Sequence, residues 1–172
     1  MVIFGPTDFQ VDSYKGNMRS WQDFGKFQYT LLQGRDQLPD NVKQDVHRLT
    51  DAVTDKNQKI ALLYDYLQKN TRYISIQLGI GGWQPFEAKF VAAKAYGDCK
   101  ALTNYMASLL REAGIKSYYS LIRAGENAGY ITDDFPSQQF NHVILCAVPQ
   151  PKDTVWLECT SQTLPCGYLS DF

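Results

Sequence analysis

The apolar positions of this chain change period part way along. Leu102, Tyr105, Met106, Leu109, Leu110 and Ala113 recur at i, i+3, i+4 and i+7, which is one buried helix face, and Gly114 follows as a C-terminal stop. Trp21, Phe24, Phe27 and Leu31 fall on one side of a helix within Asn17 to Arg35, which Leu38-Pro39-Asp40 breaks. Asp40 is a candidate cap for a polar helix from Asn41 to Ala52. Thr54 or Asp55 would cap a helix from Lys56 to Asn70 with Ile60, Leu63, Tyr64 and Leu67 inward. Phe86 to Lys94 predicts a short helix.

Past Gly114 the pattern turns β-prone. Lys116 to Arg123 reads as a strand. Phe140 to Val148 and Thr154 to Thr160 read as an antiparallel hairpin about the turn Pro149-Gln150-Pro151-Lys152-Asp153. Thr71 to Gln77 is a shorter β-prone run, followed by a flexible turn at Leu78-Gly79-Ile80-Gly81-Gly82. Val2 to Gly16 is a turn-rich lead-in with little periodicity, a linker or a strand. The loop Ala124 to Gln139 is long, and it borders a substrate cleft or is a solvated excursion. Helices first and an antiparallel sheet afterwards define an α+β fold.

Composition narrows the picture. A chain of 172 residues fits one domain with a substantial core. A net charge of −1 without a Lys/Arg run offers no footprint for nucleic acid. No stretch approaches the ~20 apolar residues of a membrane span. The opening Met1-Val2-Ile3-Phe4-Gly5-Pro6 lacks the basic start of a signal peptide, which taken alone reads as cytoplasmic. The aromatics, eleven Tyr among them, pack a core or line a groove. Cys99, Cys146, Cys159 and Cys166 form no CxxC, which argues against a zinc site, and no cofactor is expected. Cys146 and Cys159 point to opposite faces of the predicted hairpin, while a Cys159–Cys166 disulfide stays geometrically open.

Candidate chemistry centres on Tyr96-Gly97-Asp98-Cys99-Lys100, just before the best helical pattern. The free N–H groups and positive dipole end of a helix start stabilise a thiolate. A cysteine nucleophile needs a base, and the chain has two histidines. His142, on a strand, has a fixed direction; His47 lies in a polar helix. If Val148 faces Thr154, His142 faces Thr160 and Glu158 is its diagonal neighbour on the same face. A register two residues shorter sets Glu158 directly opposite, and a slip by one separates them. The bland alternatives are a buried structural Cys99, a satisfied strand histidine and a solvent-facing Glu158. Asp98 reads as a helix cap or loop brace.

The order Cys, His on a strand, acid on the next strand resembles the transglutaminase-like superfamily, the papain-related group that includes animal transglutaminases and many bacterial cysteine proteases. The resembling segments are Ser20-Trp21-Gln22-Asp23-Phe24-Gly25, Thr71-Arg72-Tyr73-Ile74, Gly81-Gly82-Trp83-Gln84-Pro85, Tyr96-Gly97-Asp98-Cys99-Lys100, Asn141-His142-Val143 and Trp156-Leu157-Glu158-Cys159-Thr160. They cover nearly everything from Ser20 onward, so residues 20–172 are assigned to the domain and 1–19 to a lead-in from an upstream domain. The resemblance implies a helical half with the nucleophile at a helix N-terminus, packed on an antiparallel sheet. It implies Cys99 as nucleophile, His142 as base and Glu158 as orienting acid, where the family's usual residue is Asp. The second oxyanion donor, beside the Cys99 N–H, would be Gln84 (papain-like) or Trp83 (transglutaminase-like), unless Trp83-Gln84-Pro85 is only a packed turn.

The match is nearest a bacterial subgroup that carries this domain inside larger exported proteins. That implies flanking domains, a periplasmic or otherwise exported setting, and a peptide or protein substrate. The expected function is cysteine-dependent acyl transfer on peptide or protein amides. Hydrolysis is expected before amine transfer, because no acidic cluster reads as a calcium site. The alternative is a catalytically weak or inactive module of the same fold that binds a peptide or partner, which the Glu-for-Asp change favours.

Overall fold

The computed structural model describes residues 4–125 and 129–169. Its elements run β1 (Asp8–Val11), β2 (Tyr14–Asn17), α1 (Trp21–Leu32), α2 (Asp40–Thr50), α3 (Lys56–Asn70), β3 (Arg72–Tyr73), a 3₁₀ turn (Gly79–Gly82), α4 (Ala88–Lys94), β4 (Tyr96–Gly97), α5 (Cys99–Glu112), β5 (Lys116–Ile122), β6 (His142–Val148) and β7 (Val155–Leu157). The architecture is α+β, with the principal sheet ordered β5-β6-β7 and antiparallel throughout.

Helix α5 is the axis of the molecule. Its apolar stripe was legible in sequence, yet Cys99 through Met106 and Ser108 through Leu110 are all buried, so it is surrounded rather than half-exposed. Ile60, Leu63 and Leu67 of α3, Val42 and Val46 of α2, and Val91 of α4 pack with Leu102, Met106, Leu109 and Leu110 of α5. Leu145 and Ala147 of β6 and Leu157 of β7 close the same core from the sheet side. A fully buried Leu or Ile contributes about 1.5–3 kcal/mol by leaving water, so this cluster fixes α5 firmly against β6. A second cluster joins Met18 to Phe24, Phe27 and Leu31 of α1, with Trp21, Trp83, Leu121 and Phe140 at its margin.

Local chemistry sets the boundaries. Ser20 caps α1 by accepting the Asp23 N–H at 3.1 Å, and Asp55 caps α3 through the Asn57 N–H at 3.0 Å. At the end of α5, Gly114 takes φ +71°, and the Ile115 N–H reaches back to the Leu110 carbonyl at 2.8 Å. That is a glycine-terminated cap in the left-handed region.

Several sequence expectations need correction. Asp40 is not the cap of α2 but its first residue; Pro39 holds the cap position in extended backbone without a side-chain bond, and Asp40 meets the helix dipole instead. Helix α1 begins at Trp21 because Asn17 pairs with Asp8 across the β1–β2 hairpin. The lead-in through Gly16 thus contains an ordered hairpin, turned at Asp12 with φ 53°. β3 and β4 form a two-residue parallel pair, Arg72 with Tyr96 and Tyr73 with Gly97. Gly97 permits this, since a Cβ there would lie 2.8 Å from the Ala101 Cβ. All four cysteines are free, so Cys159 and Cys166 are not bridged.

Candidate active site

Cys99 is the first residue of α5 and is 5% exposed. Asp98 occupies the N-cap and accepts the Ala101 N–H at 2.9 Å through Oδ1. Its Oδ2 pairs with the Lys100 ammonium, and both side chains are almost fully buried. The two flanking residues are therefore tied to each other around the cysteine. A cap bonded on one oxygen and ion-paired on the other leaves Asp98 little rotational freedom. Lys100 was not singled out from sequence, where a lone lysine near a helix start normally reads as solvated.

His142 is the first residue of β6, and its ring is mostly buried. The observed pairs Ala147–Val155 and Leu145–Leu157 are those of the register in which Val148 faces Thr154. β7 ends at Leu157, so Glu158 departs from the ladder and its carboxylate turns toward the histidine. Glu158 Oε2 lies 2.7 Å from His142 Nε2. Glu158 Oε1 accepts the Thr160 N–H at 2.9 Å and the Thr160 hydroxyl at 2.5 Å. The Tyr64 hydroxyl donates to the Glu158 carbonyl at 2.7 Å. Both carboxylate oxygens and the backbone carbonyl are thus held.

The Cys99 sulfur is a second hydrogen-bonding partner of His142. Burial works against the imidazolium. The hydrogen bonds to Cys99 and Glu158 and the negative charge of both outweigh it, raising the His142 pKa to about 9. Burial would raise the Glu158 carboxyl, but the bonds from His142 and Thr160 hold it below the usual value. Burial pushes up the thiols of Cys146, Cys159 and Cys166.

Cys99 and His142 border a cleft of about 280 Å³, while Glu158 lies outside its lining. Trp83 lies on its wall, stacked on Phe9 at 6.4 Å and edge-on to Phe27 at 5.9 Å. Gln84 lies outside the cleft lining, and its amide donates to the Tyr14 hydroxyl at 2.9 Å. Other amides border the cleft instead: Gln28 from α1, Gln77 from the segment after β3, and Gln138 with Asn141 from the approach to β6. Asn141 also ties the two strands, its Oδ1 accepting the Ala124 N–H at 2.7 Å and its amide donating to the Ala124 carbonyl at 2.8 Å. Ala124 and Asn141 are thus held together, and Asn141 borders the cleft. Sequence pointed to the loop but not to these glutamines, which carry no periodic signal.

His47 stands apart from the cleft. It lies exposed between Asp51 at 3.0 Å and Glu112 at 3.2 Å. Among the described residues no group of three or more His, Cys, Asp or Glu could hold a metal ion, and no helix is long and apolar enough to cross a membrane.

A cysteine at a helix start, a histidine at the start of β6 and a carboxylate just past β7 come together in this fold, and the fold itself can be compared with known families. The model of the transglutaminase-like superfamily matches residues 43–163, and the chain belongs to that superfamily. The matched segment holds Cys99, His142 and Glu158 and begins after α1. A crystal structure of a "putative protease" from Parabacteroides distasonis ATCC 8503 has a similar fold, with a TM-score of 0.60 at 20% identity. The likeness covers 77% of this chain and 26% of that one, so this chain spans about a quarter of that protein's length. No curated protein matches the chain.

Proposed function

We propose that the domain is a cysteine-dependent acyl-transfer enzyme that hydrolyses peptide or protein amides. The observation that carries this reading is the single imidazole of His142, shared between the Cys99 sulfur and the Glu158 carboxylate. In the proposed cycle His142, as the imidazolium, already holds the proton given up by Cys99, and the sulfur attacks the amide carbonyl to form a C–S bond. The carbonyl oxygen becomes an oxyanion facing the Cys99 N–H at the start of α5. Trp83, which borders the cleft where Gln84 does not, is the candidate second donor from its indole N–H. The tetrahedral intermediate collapses with cleavage of the C–N bond, and His142 donates its proton to the departing amine. Water, deprotonated by His142, then attacks the thioester and frees the acid and the thiol. Glu158 holds the ring orientation and stabilises the imidazolium between these transfers.

Hydrolysis rather than amine transfer is the proposed reaction. The test has two arms. Cleavage of quenched peptides should depend on both Cys99 and His142. Addition of millimolar monodansylcadaverine should leave most of the acyl product as free acid. Dominant incorporation of the amine would make the domain a transglutaminase. Iodoacetamide labelling that does not favour Cys99, with no turnover, would leave the binding module.

A further inference from the structure

A larger groove of about 730 Å³ opens beside the cleft. Helix α1 and strand β5 form its walls, and Asn104, Ala107 and Ser108 of α5 its floor. Gln28, Leu121 and Phe140 border both groove and cleft, so the two are adjacent. Lys116, Ser117, Tyr118, Tyr119 and Leu121 line it along β5. Successive residues of a strand point to opposite faces, so a groove bordered by both parities follows the edge of the strand and not one face of the sheet. The order β5-β6-β7 leaves that edge without a neighbouring strand among the described residues. Its outer backbone N–H and C=O groups are a template for another extended chain.

Helix α1 supplies a second observation. Gly25 sits inside this helix on the groove wall, where glycine is a poorer helix former than alanine. Its backbone has no positive φ, and a Cβ there would meet nothing within 4 Å. Neither conformation nor packing calls for glycine, but a side chain at this point would intrude on the groove. Tyr29 and Tyr118, both lining it, are 65% and 51% exposed, as aromatics awaiting a partner would be.

We propose that the groove binds the substrate as an extended peptide added to the free edge of β5, leading past Leu121 to Cys99. The edge from Lys116 to Leu121 spans six positions, about 20 Å at ~3.3 Å per residue. The substrate class is therefore an unfolded or extended polypeptide with large apolar side chains within about six residues of the scissile amide. Single-residue amides would bypass the groove. Delivery to Cys99 rests on the acyl-transfer reading; peptide binding along β5 does not.

The test uses a random decapeptide library and the Cys99→Ala chain, which cannot turn the peptides over. This chain should retain peptides rich in Phe, Tyr and Leu. Adding Gly25→Phe should weaken that binding at least tenfold, and Gly25→Ala should weaken it by a smaller factor. N-methylation along a retained peptide should abolish binding at alternate backbone positions, a two-residue period that needs no protein variant. With Cys99 intact, Gly25→Phe should raise KM on cleaved decapeptides at least tenfold while leaving the iodoacetamide labelling rate of Cys99 unchanged. No retained peptide, binding indifferent to Gly25→Phe, or N-methyl effects without period would overturn the groove. If Cys99 fails to label while binding still depends on position 25, acyl transfer falls and the groove stands as a peptide site. If Cys99 labels selectively while binding ignores position 25, the reverse holds.

Discussion

The two histidines of this chain make the same kind of contact in opposite settings. His47 bridges Asp51 and Glu112 on the surface, about half of its side chain exposed. His142 touches Cys99 and Glu158 with only 17% of its side chain exposed. Hydrogen bonds to carboxylates raise the pKa of both. Water and salt screen the first, whose partners lie at the exposed ends of α2 and α5. The second is buried between the first turn of α5 and the start of β6, and its acid is itself held by Thr160 and Tyr64. A carboxylate beside an imidazole is thus not a catalytic signature by itself. What separates the two is a thiol beside the ring and a core that keeps all three groups in place.

The largest expected effects fall on the buried arrangement. Cys99→Ala and His142→Ala should each reduce peptide turnover by at least ~10³-fold, with no further loss when combined, because residues acting as one unit are non-additive. The fold should persist in Cys99→Ala, with a melting temperature close to that of the native chain. Unfolding of Cys99→Ala would make the cysteine structural.

Lys100→Met is expected to destabilise the domain by about 3–5 kcal/mol, since it leaves the Asp98 carboxylate buried without its partner. The double variant Lys100→Met/Asp98→Asn, which removes both charges, should recover part of that loss in denaturant titrations. Equal destabilisation by single and double variants would mean that the pair is not coupled.

Glu158→Gln should lower turnover about 10²–10⁴-fold by weakening imidazolium stabilisation and tautomer control. Glu158→Asp should fall between, because a shorter acid must give up either the 2.7 Å bond to His142 or the bonds from Thr160. Full activity in Glu158→Gln would remove this acid from the mechanism.

The pH dependence follows from the raised His142 pKa. The folded group stays protonated up to about pH 9, while the unfolded imidazole releases its proton near 6.5. The stabilisation is therefore complete below pH ~6.5 and is lost as pH rises through about 9. The melting temperature of the native chain, relative to His142→Gln, should fall between pH 6 and 9.5. A difference that is flat across this range would contradict the raised value. His47→Gln is the smallest expected effect, with little change in melting temperature, less still in 1 M salt, and unchanged turnover.

Sequence made the buried half of the molecule legible because its signals are long. α3 runs Lys56–Asn70 as its period predicted, with Asp55 the cap of the two candidates and Ile60, Leu63, Tyr64 and Leu67 inside. The parity of a hairpin fixes which side chains share a face, so His142 and Glu158 could be related before any coordinates. What was hidden lies in short or aperiodic pieces. The strands β1 to β4 are two to four residues each, too short for alternation to register. Gln28, Gln77 and Lys100 reach the cleft through tertiary placement, which local pattern does not encode. The hydrogen bond of Gln84 to Tyr14 depends on a hairpin that sequence read only as a lead-in.

The most direct measurement of the central claim is the alkylation rate of each cysteine by iodoacetamide at pH 6, followed by peptide mass mapping. Accessibility alone favours Cys166, the one cysteine that is not buried. The account predicts the opposite: Cys99 labels at least about tenfold faster than the other three, and the advantage disappears in His142→Ala. Preferential labelling of Cys166, or a Cys99 rate indifferent to His142, would contradict it.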